Sequence, residues 1–415
     1  MVSKEYPRIG EKIYHAELPN GLHTYVDRRP EFQKSYAFFA TNYGGMDMKF
    51  RLDGQWRDTP AGVAHFLEHK MFDTEDGNAL QDLAANGASP NAFTSSALTG
   101  YYFESTEKFC DNLKILLSFV SIPWFTQESV DKEQGIIGQE IGMIEDDPNW
   151  TVFVNLLGAL YEHHPIRTSV AGTVESISHI TEETLYACHK AFYTPSNMVL
   201  TVAGDVEPEE VVRIAREILP KEPGGHIERD YGGEEDGAAA KPEKELRMEV
   251  STPIFQLGFK AEPAPAGEEH LRRQLLGELA CEALLGNSSL INKNFGYGFE
   301  LYPGCALMAA GGESCDPRAV RDAVLAEGAR IAQEGVDEGL FRRLKKGVYG
   351  AKVRGLNSFE NVCIELAQAH FAGVEYLTFP EVFDGISKAD VEDCIRRWVT
   401  PERCGLAVVR PGEEA

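Results

Sequence analysis

Residues 192–205 read Phe-Tyr-Thr-Pro-Ser-Asn-Met-Val-Leu-Thr-Val-Ala-Gly-Asp, a helix stop followed by the entry to an apolar strand. Pro195 removes a backbone donor and cannot continue a helix, while the run Met198 to Ala203 has strand composition. The same device returns near the other end of the chain. Trp398-Val399-Thr400-Pro401 precedes the apolar run Gly405 to Val409, and Thr400 lies 206 residues after Thr194. Ile177-Ser178 opens the helical pattern before the first occurrence, and Ile386-Ser387 opens it before the second. The chain is therefore read as two diverged copies of one unit.

The segment between the copies differs in composition. Lys221 to Glu245 (KEPGGHIERDYGGEEDGAAAKPEKE) is polar, rich in Gly, Ala and acid, and has no hydrophobic period, which predicts an inter-domain linker. It gives an N-terminal domain over 1–220, a linker over 221–245 and a C-terminal domain over 246–415. A chain of 415 residues is long enough for two cores of about 200 residues each. In the first copy the patterns predict strands over Lys12–Ala16, His23–Asp27 and Tyr36–Asn42, and a hairpin over Ala92–Ser105. Helices are predicted over Ala61–Phe72, Ala79–Asn86, Phe109–Ile122, Glu128–Glu145 and Thr181–Ala191. Strands and helices mix without strict alternation, which points to an α+β fold rather than a doubly wound parallel sheet.

Composition narrows the function. Hydrophobic residues make up 43% and charged residues 25%, the balance of a folded globular protein. A formal net charge of −25 argues against a nucleic-acid groove, which needs clustered Lys and Arg. It fits either general solubility or an acidic interior that attracts basic peptides. The first 17 residues lack the apolar run of a signal peptide, and no stretch is long and apolar enough to span a bilayer. Eight scattered cysteines with no C-x-x-C pair read as reduced thiols, so the expected compartment is the cytoplasm.

The chemistry is concentrated in His65-Phe66-Leu67-Glu68-His69. Positions i, i+3 and i+4 of a helix share a face, so His65, Glu68 and His69 point one way while Val63, Phe66, Leu67 and Met71 form a packing stripe. Two imidazoles one turn apart can both reach a metal ion, and the carboxylate between them would lie beside a bound water. This H-x-x-E-H order inverts the H-E-x-x-H of other zinc peptidases. A third ligand is expected from the helix Glu128–Glu145, where Glu133 and Glu140 share a face. Their Cα atoms would be about 10 Å apart, so one is the ligand and the other a supporting group, and spacing does not rank them. Gly135, Gly138 and Gly142 weaken that helix by about 1 kcal/mol each relative to Ala, which suggests close packing against a neighbour or simply a weaker helix. Asn91-Ala92-Phe93-Thr94 reads as a short strand that could offer its edge to an extended peptide.

These residues carry a family resemblance. The run Gly62 to Phe72 (GVAHFLEHKMF) looks like the signature of the pitrilysin, insulysin and mitochondrial-processing-peptidase family, and Asn91 to Thr94 resembles its substrate-edge strand. Glu133 to Glu140 resembles the family's distal glutamate helix, and Tyr193 to Asp205 its strand entry. Within the family the chain looks most like bacterial zinc-bearing subunits of the YmfH type. The resemblance implies one Zn2+ per chain on His65, His69 and Glu140, with Glu68 as general base and Glu133 as a supporting acid. Asn91, Ala92 and Phe93 would bind substrate. It also implies two homologous domains, each a mostly antiparallel sheet with helices packed on one face. Two such chains would close as a clam around a chamber for peptides or unfolded segments.

One departure bears on catalysis. Family members often carry in the second half an Arg followed seven residues later by Tyr, and both contact substrate. Here the stretch Ser289 to Leu301 reads SLINKNFGYGFEL, and no Arg occurs between Arg273 and Arg318. Tyr297 and Tyr302 are present without that partner. The resemblance therefore leads to a homologous chain lacking the zinc motif as heterodimer partner, with a homodimer as the alternative. The rival to a peptidase is a non-catalytic scaffold or peptide-binding subunit that retains a metal site.

Overall fold

The segment Ser35–Thr41 (SYAFFAT) is buried at every one of its seven positions. A strand with no solvent-facing side must be covered on both faces. In the computed structural model, which describes residues 1–286 and 295–412, it lies inside a seven-stranded sheet. The strands are β1 (Val2–Tyr6), β2 (Glu11–Glu17), β3 (His23–Arg28), β4 (Ser35–Thr41), β5 (Ser89–Thr94), β6 (Thr99–Ser105) and β7 (Met198–Gly204). They run in the order β1-β2-β3-β7-β4-β6-β5. Every pair is antiparallel except β3 with β7.

Residue alternation assigns the two faces. Tyr101 of β6 points to the side of the helices Val63–Met71 and Phe109–Ser121, with its ring 5.9 Å from those of Phe72 and Phe119. Tyr36, Phe38 and Ala40 point the other way, onto Phe359, Cys363 and Ala367 of the helix Phe359–Phe371. The Thr201 hydroxyl adds a bond of 2.9 Å to the Cys363 carbonyl. The sheet thus carries its main helices on one face and a single helix from the far end of the chain on the other.

A second unit repeats the plan. Its strands are β8 (Glu243–Met248), β9 (Ile254–Ala261), β10 (Gly296–Tyr302), β11 (Cys305–Glu313) and β12 (Cys404–Pro411), ordered β8-β12-β9-β11-β10. The parallel pair β8 with β12 corresponds to β3 with β7, and the three antiparallel pairs that follow correspond in turn. Thr194-Pro195 and Thr400-Pro401 each open a short 3-10 turn just before β7 and β12. The helix on the rear of this sheet is Pro148–Leu160. Gly258 and Gly405 make room for it, because a Cβ at either would come within 2.9 Å of Leu160.

The two rear helices alter the domain division expected from the linker. One compact unit comprises 1–141, 169–230 and 353–377, and the other 142–168, 231–352 and 378–415. Each half of the chain contributes the helix whose apolar side covers the other half's sheet, so each unit draws on both halves of the chain. Nor is that segment featureless. Ile227–Arg229 forms a strand on Lys49–Leu52, and Arg229 binds Asp47 at 2.9 Å. Glu235 pairs with the buried Lys260 at 2.8 Å. The polar residues read as linker chemistry instead fasten it, segment by segment, to two cores.

Among the described residues no helix is long and apolar enough to cross a membrane. All eight cysteines are free.

Candidate metal centre

The helix Val63–Met71 starts at Gly62, whose φ of 93° places it in the left-handed region open to glycine. A Cβ there would lie 2.6 Å from the Ala171 carbonyl oxygen, so the entry to the helix is pinned from outside. Val63, Phe66, Leu67 and Met71 are buried in the core, as the packing stripe predicts. That stripe turns His65, Glu68 and His69 toward the helix Gln127–Glu145 and toward β5.

His65 Nε2 lies 3.5 Å from one oxygen of Glu140, and His69 Nε2 lies 3.5 Å from the other. Glu133 is displaced along the same helix and meets the opposite nitrogen of His69, Nδ1, at 3.2 Å. Glu140 thus lies between the two Nε2 atoms, and Glu133 lies beside Nδ1 of His69 only. His65, His69 and Glu140 offer three ligand atoms within 4.8 Å of one another, the one such cluster among the described residues. Ligands at 2.0–2.1 Å around a tetrahedral zinc ion are separated by about 3.3–3.4 Å, so this donor set fits zinc with little movement. On the remote side of His65, Nδ1 is buried without a partner among the described residues, whereas His69 has Glu133.

Electrostatics follow the same arrangement. Burial disfavours a charged His69, but the Glu133 hydrogen bond and the charges of Glu68 and Glu140 outweigh it and raise the ring's pKa. Glu140 is lowered, first by its hydrogen bond to His65. Glu68, only 8% exposed, is raised by burial against an opposing hydrogen bond from Thr94.

Thr94 is the residue that the sequence did not single out. It ends β5, and its hydroxyl donates to Glu68 Oε2 across 2.6 Å. Strand alternation was the available signal: Ala92 and Thr94 face the metal helix, and Asn91 and Phe93 face away. Phe93 stacks on Phe38 with ring centroids 5.8 Å apart. As predicted, β5 is the outermost strand and, among the described residues, it pairs on one side only, with β6. Asn91 Oδ1 accepts the Ala92 amide at 2.9 Å.

Of the two readings of Gly135, Gly138 and Gly142, close packing against a neighbour or a weaker helix, the structure favours the second. A Cβ at Gly135, Gly138 or Gly142 would meet nothing within 4 Å. They loosen the ligand helix without letting anything approach it. Of the stretch Ser289 to Leu301, residues 289–294 lie outside the described residues. The Tyr297 hydroxyl donates to Glu282 at 3.0 Å and that of Tyr302 to Glu300 at 3.0 Å, so both are engaged within their own unit.

The insulinase (peptidase family M16) profile matches residues 54–174, and the profile described as the peptidase M16 inactive domain matches residues 179–348. The uncharacterized zinc protease YmfH of Bacillus subtilis (strain 168) is 36% identical over 427 residues, covering 98% of each chain. The chain belongs to the M16 peptidase family. A crystal structure described as an M16-like peptidase from Alicyclobacillus acidocaldarius superposes with a TM-score of 0.93 at 31% identity, covering 99% of this chain and all of that one. A protein of Arabidopsis thaliana named probable mitochondrial-processing peptidase subunit beta is 28% identical over 209 residues, covering 49% of this chain and 38% of its own. The inverted H-x-x-E-H helix lies inside the insulinase match, and strands β8 to β11 of the second sheet lie within the inactive-domain match.

Proposed function

We propose that this M16 chain is a zinc metalloendopeptidase that hydrolyses peptides or unfolded segments. The observation that carries the reading is the Glu140 carboxylate, 3.5 Å from each of two imidazoles whose own helix holds a buried carboxylate, Glu68, against the sheet's open edge. His65, His69 and Glu140 would hold the ion, which when bound supplies a water of pKa near 7 and polarises the scissile carbonyl. Glu68 takes the proton of the attacking water on its carboxylate and returns it to the departing amine. Burial supports that task by raising the carboxyl's affinity for a proton. Thr94 holds Oε2 of the same carboxylate and so fixes the direction in which the base points. Glu133 orients His69 through Nδ1.

Substrate binding follows from β5. An extended peptide adds to its free side by main-chain hydrogen bonds, and the Asn91 side chain must first give up the Ala92 amide. Asn91, Ala92 and Phe93 are the residues that such a strand would run beside. With a net charge of −25 the chain should favour basic peptides at low salt. Eight free cysteines suit a reducing compartment, which we take to be the cytoplasm. A homologous chain lacking the zinc motif, or a second copy, would complete the substrate contacts that Tyr297 and Tyr302 do not supply.

The test is zinc analysis together with cleavage of a mixed peptide library. Wild type should bind one zinc per chain and cleave; Glu68→Gln should keep the metal and lose turnover; His69→Ala should lose both. Wild-type cleavage by Glu68→Gln would remove the base assignment. Full turnover by the purified chain as a homodimer would remove the need for a second, different chain.

A further inference from the structure

Three histidines lie together away from the metal centre. His15 of β2 and His23 of β3 are neighbours on the sheet, with Nε2 of the first 2.9 Å from Nδ1 of the second. The ring of His370, in the last turn of the helix Phe359–Phe371, lies 4.6 Å from that of His23. Tyr25 completes the cluster: its ring stacks on His15 at 4.7 Å, and its hydroxyl is 3.2 Å from His370 Nδ1. The proposed catalytic residues do not include any of these groups.

Position gives the cluster its importance. The same helix covers the rear of the sheet through Phe359, Cys363 and Ala367, in a core that also takes Phe93 of the edge strand β5. The imidazoles tie its final turn to two strands at the opposite side of the sheet from β5. If that turn lifts, the packing behind Phe38 and Phe93 loosens with it.

The charges around the cluster set its response. His370 is lowered to about 4, first by burial and then by His23 and His15. Its place at a helix C-terminus favours a cation, and burial outweighs that. His15 is lowered too, by burial and then by His23, with the Met1 amine adding to the effect and the carboxylates of Glu17 and Glu375 opposing it. Glu375 is itself held by Lys4 and Tyr6.

We propose that His15, His23 and His370 form an acid-sensitive latch, which docks the helix Phe359–Phe371 on the sheet through these ring contacts and releases the last turn when His15 and His370 take up protons. The direction follows from linkage. A histidine whose docked pKa lies below the free value of about 6.5 gives its full contribution above that pH and loses it as pH falls toward 4. Each proton taken up on release favours the open form about tenfold per pH unit in that window.

Hydrogen exchange of the full chain, read by mass spectrometry with chelator present, tests this without reference to catalysis. After correction for intrinsic rates, protection of the last turns of the helix should fall about tenfold or more between pH 7 and pH 5.5. The helix Phe109–Ser121, which carries no histidine, should keep its protection over that range. In His370→Gln, which can still meet the Tyr25 hydroxyl, the pH response should shrink to under threefold. Should that variant not fold, His23→Gln at the partly exposed rim of the cluster serves for the same comparison. Equal protection at both pH values, an undiminished response in the folded variant, or a simultaneous loss in Phe109–Ser121 would overturn the latch.

Discussion

The Thr94 hydroxyl and the Glu68 carboxylate are joined by a hydrogen bond of 2.6 Å that links the last residue of the edge strand to the metal helix. A bond to a charged group contributes about 1.5–3 kcal/mol, and this one fixes a carboxylate that burial would otherwise leave poorly solvated. Thr94→Val should therefore lower kcat about tenfold or more while zinc content stays at wild type, and Thr94→Ser should recover most of the loss. Steady-state peptide hydrolysis reads both. A wild-type kcat in Thr94→Val would show that the base is positioned by other means.

Glu133 and Glu140 stand on one helix and address opposite nitrogens of His69. Removing a group that orients a metal-bound histidine costs about 10–100-fold in affinity, whereas removing a ligand from a three-residue set costs more. Glu133→Gln should weaken zinc about 10–100-fold in competition with a chelator. Glu140→Gln should leave the purified chain with little zinc at all. Reversed rankings would exchange the roles of the two residues.

Much of this was legible in the chain itself, and the reasons differ by residue. His65, Glu68 and His69 were readable because helical period alone places them together, and β5 because its strand signals adjoin a turn. The duplication was readable from Thr194-Pro195 and Thr400-Pro401, which sit in equivalent positions before β7 and β12. The choice between Glu133 and Glu140 required the crossing of two helices, which no spacing contains. The sharing of each unit between both halves of the chain was hidden for a similar reason. Nothing in Leu156 and Leu160, or in Cys363 and Ala367, states which of two related sheets each helix will cover. Thr94 was overlooked because strand alternation places its hydroxyl on a face without saying that Glu68 lies opposite it.

Gly135 and Gly138 offer a test of the glycine reading. Added Cβ atoms there meet nothing within 4 Å, and neither residue has a positive φ. Alanine at such a position stabilises by about 0.4–1 kcal/mol, largely by restricting the unfolded chain. Gly135→Ala and Gly138→Ala should each raise the unfolding midpoint of the metal-free chain slightly, and together roughly additively. A lower midpoint in either would mean that the open space around the glycine does not decide its effect on the helix.

Glu235 carries the pH prediction. Its Oε2 accepts from Lys260 at 2.8 Å, and its Oε1 accepts the amides of His163 at 2.6 Å and His164 at 2.7 Å. Burial alone would raise the carboxyl, but these donors outweigh it and hold it at about 2. A depressed carboxyl stabilises fully above its ordinary value of 4.5, and that contribution drains away as pH falls toward 2. Lys260, only 4% exposed, would be left as a buried cation in Glu235→Gln, so the variant should lose about 2–3 kcal/mol at pH 7. Below pH 4.5 the wild type should lose its advantage while the variant does not, and the two unfolding curves should converge toward pH 2. Equal stability at pH 7 would mean that the acidic segment is held by its strands, Ile227–Arg229 and β8, and not by this ion pair.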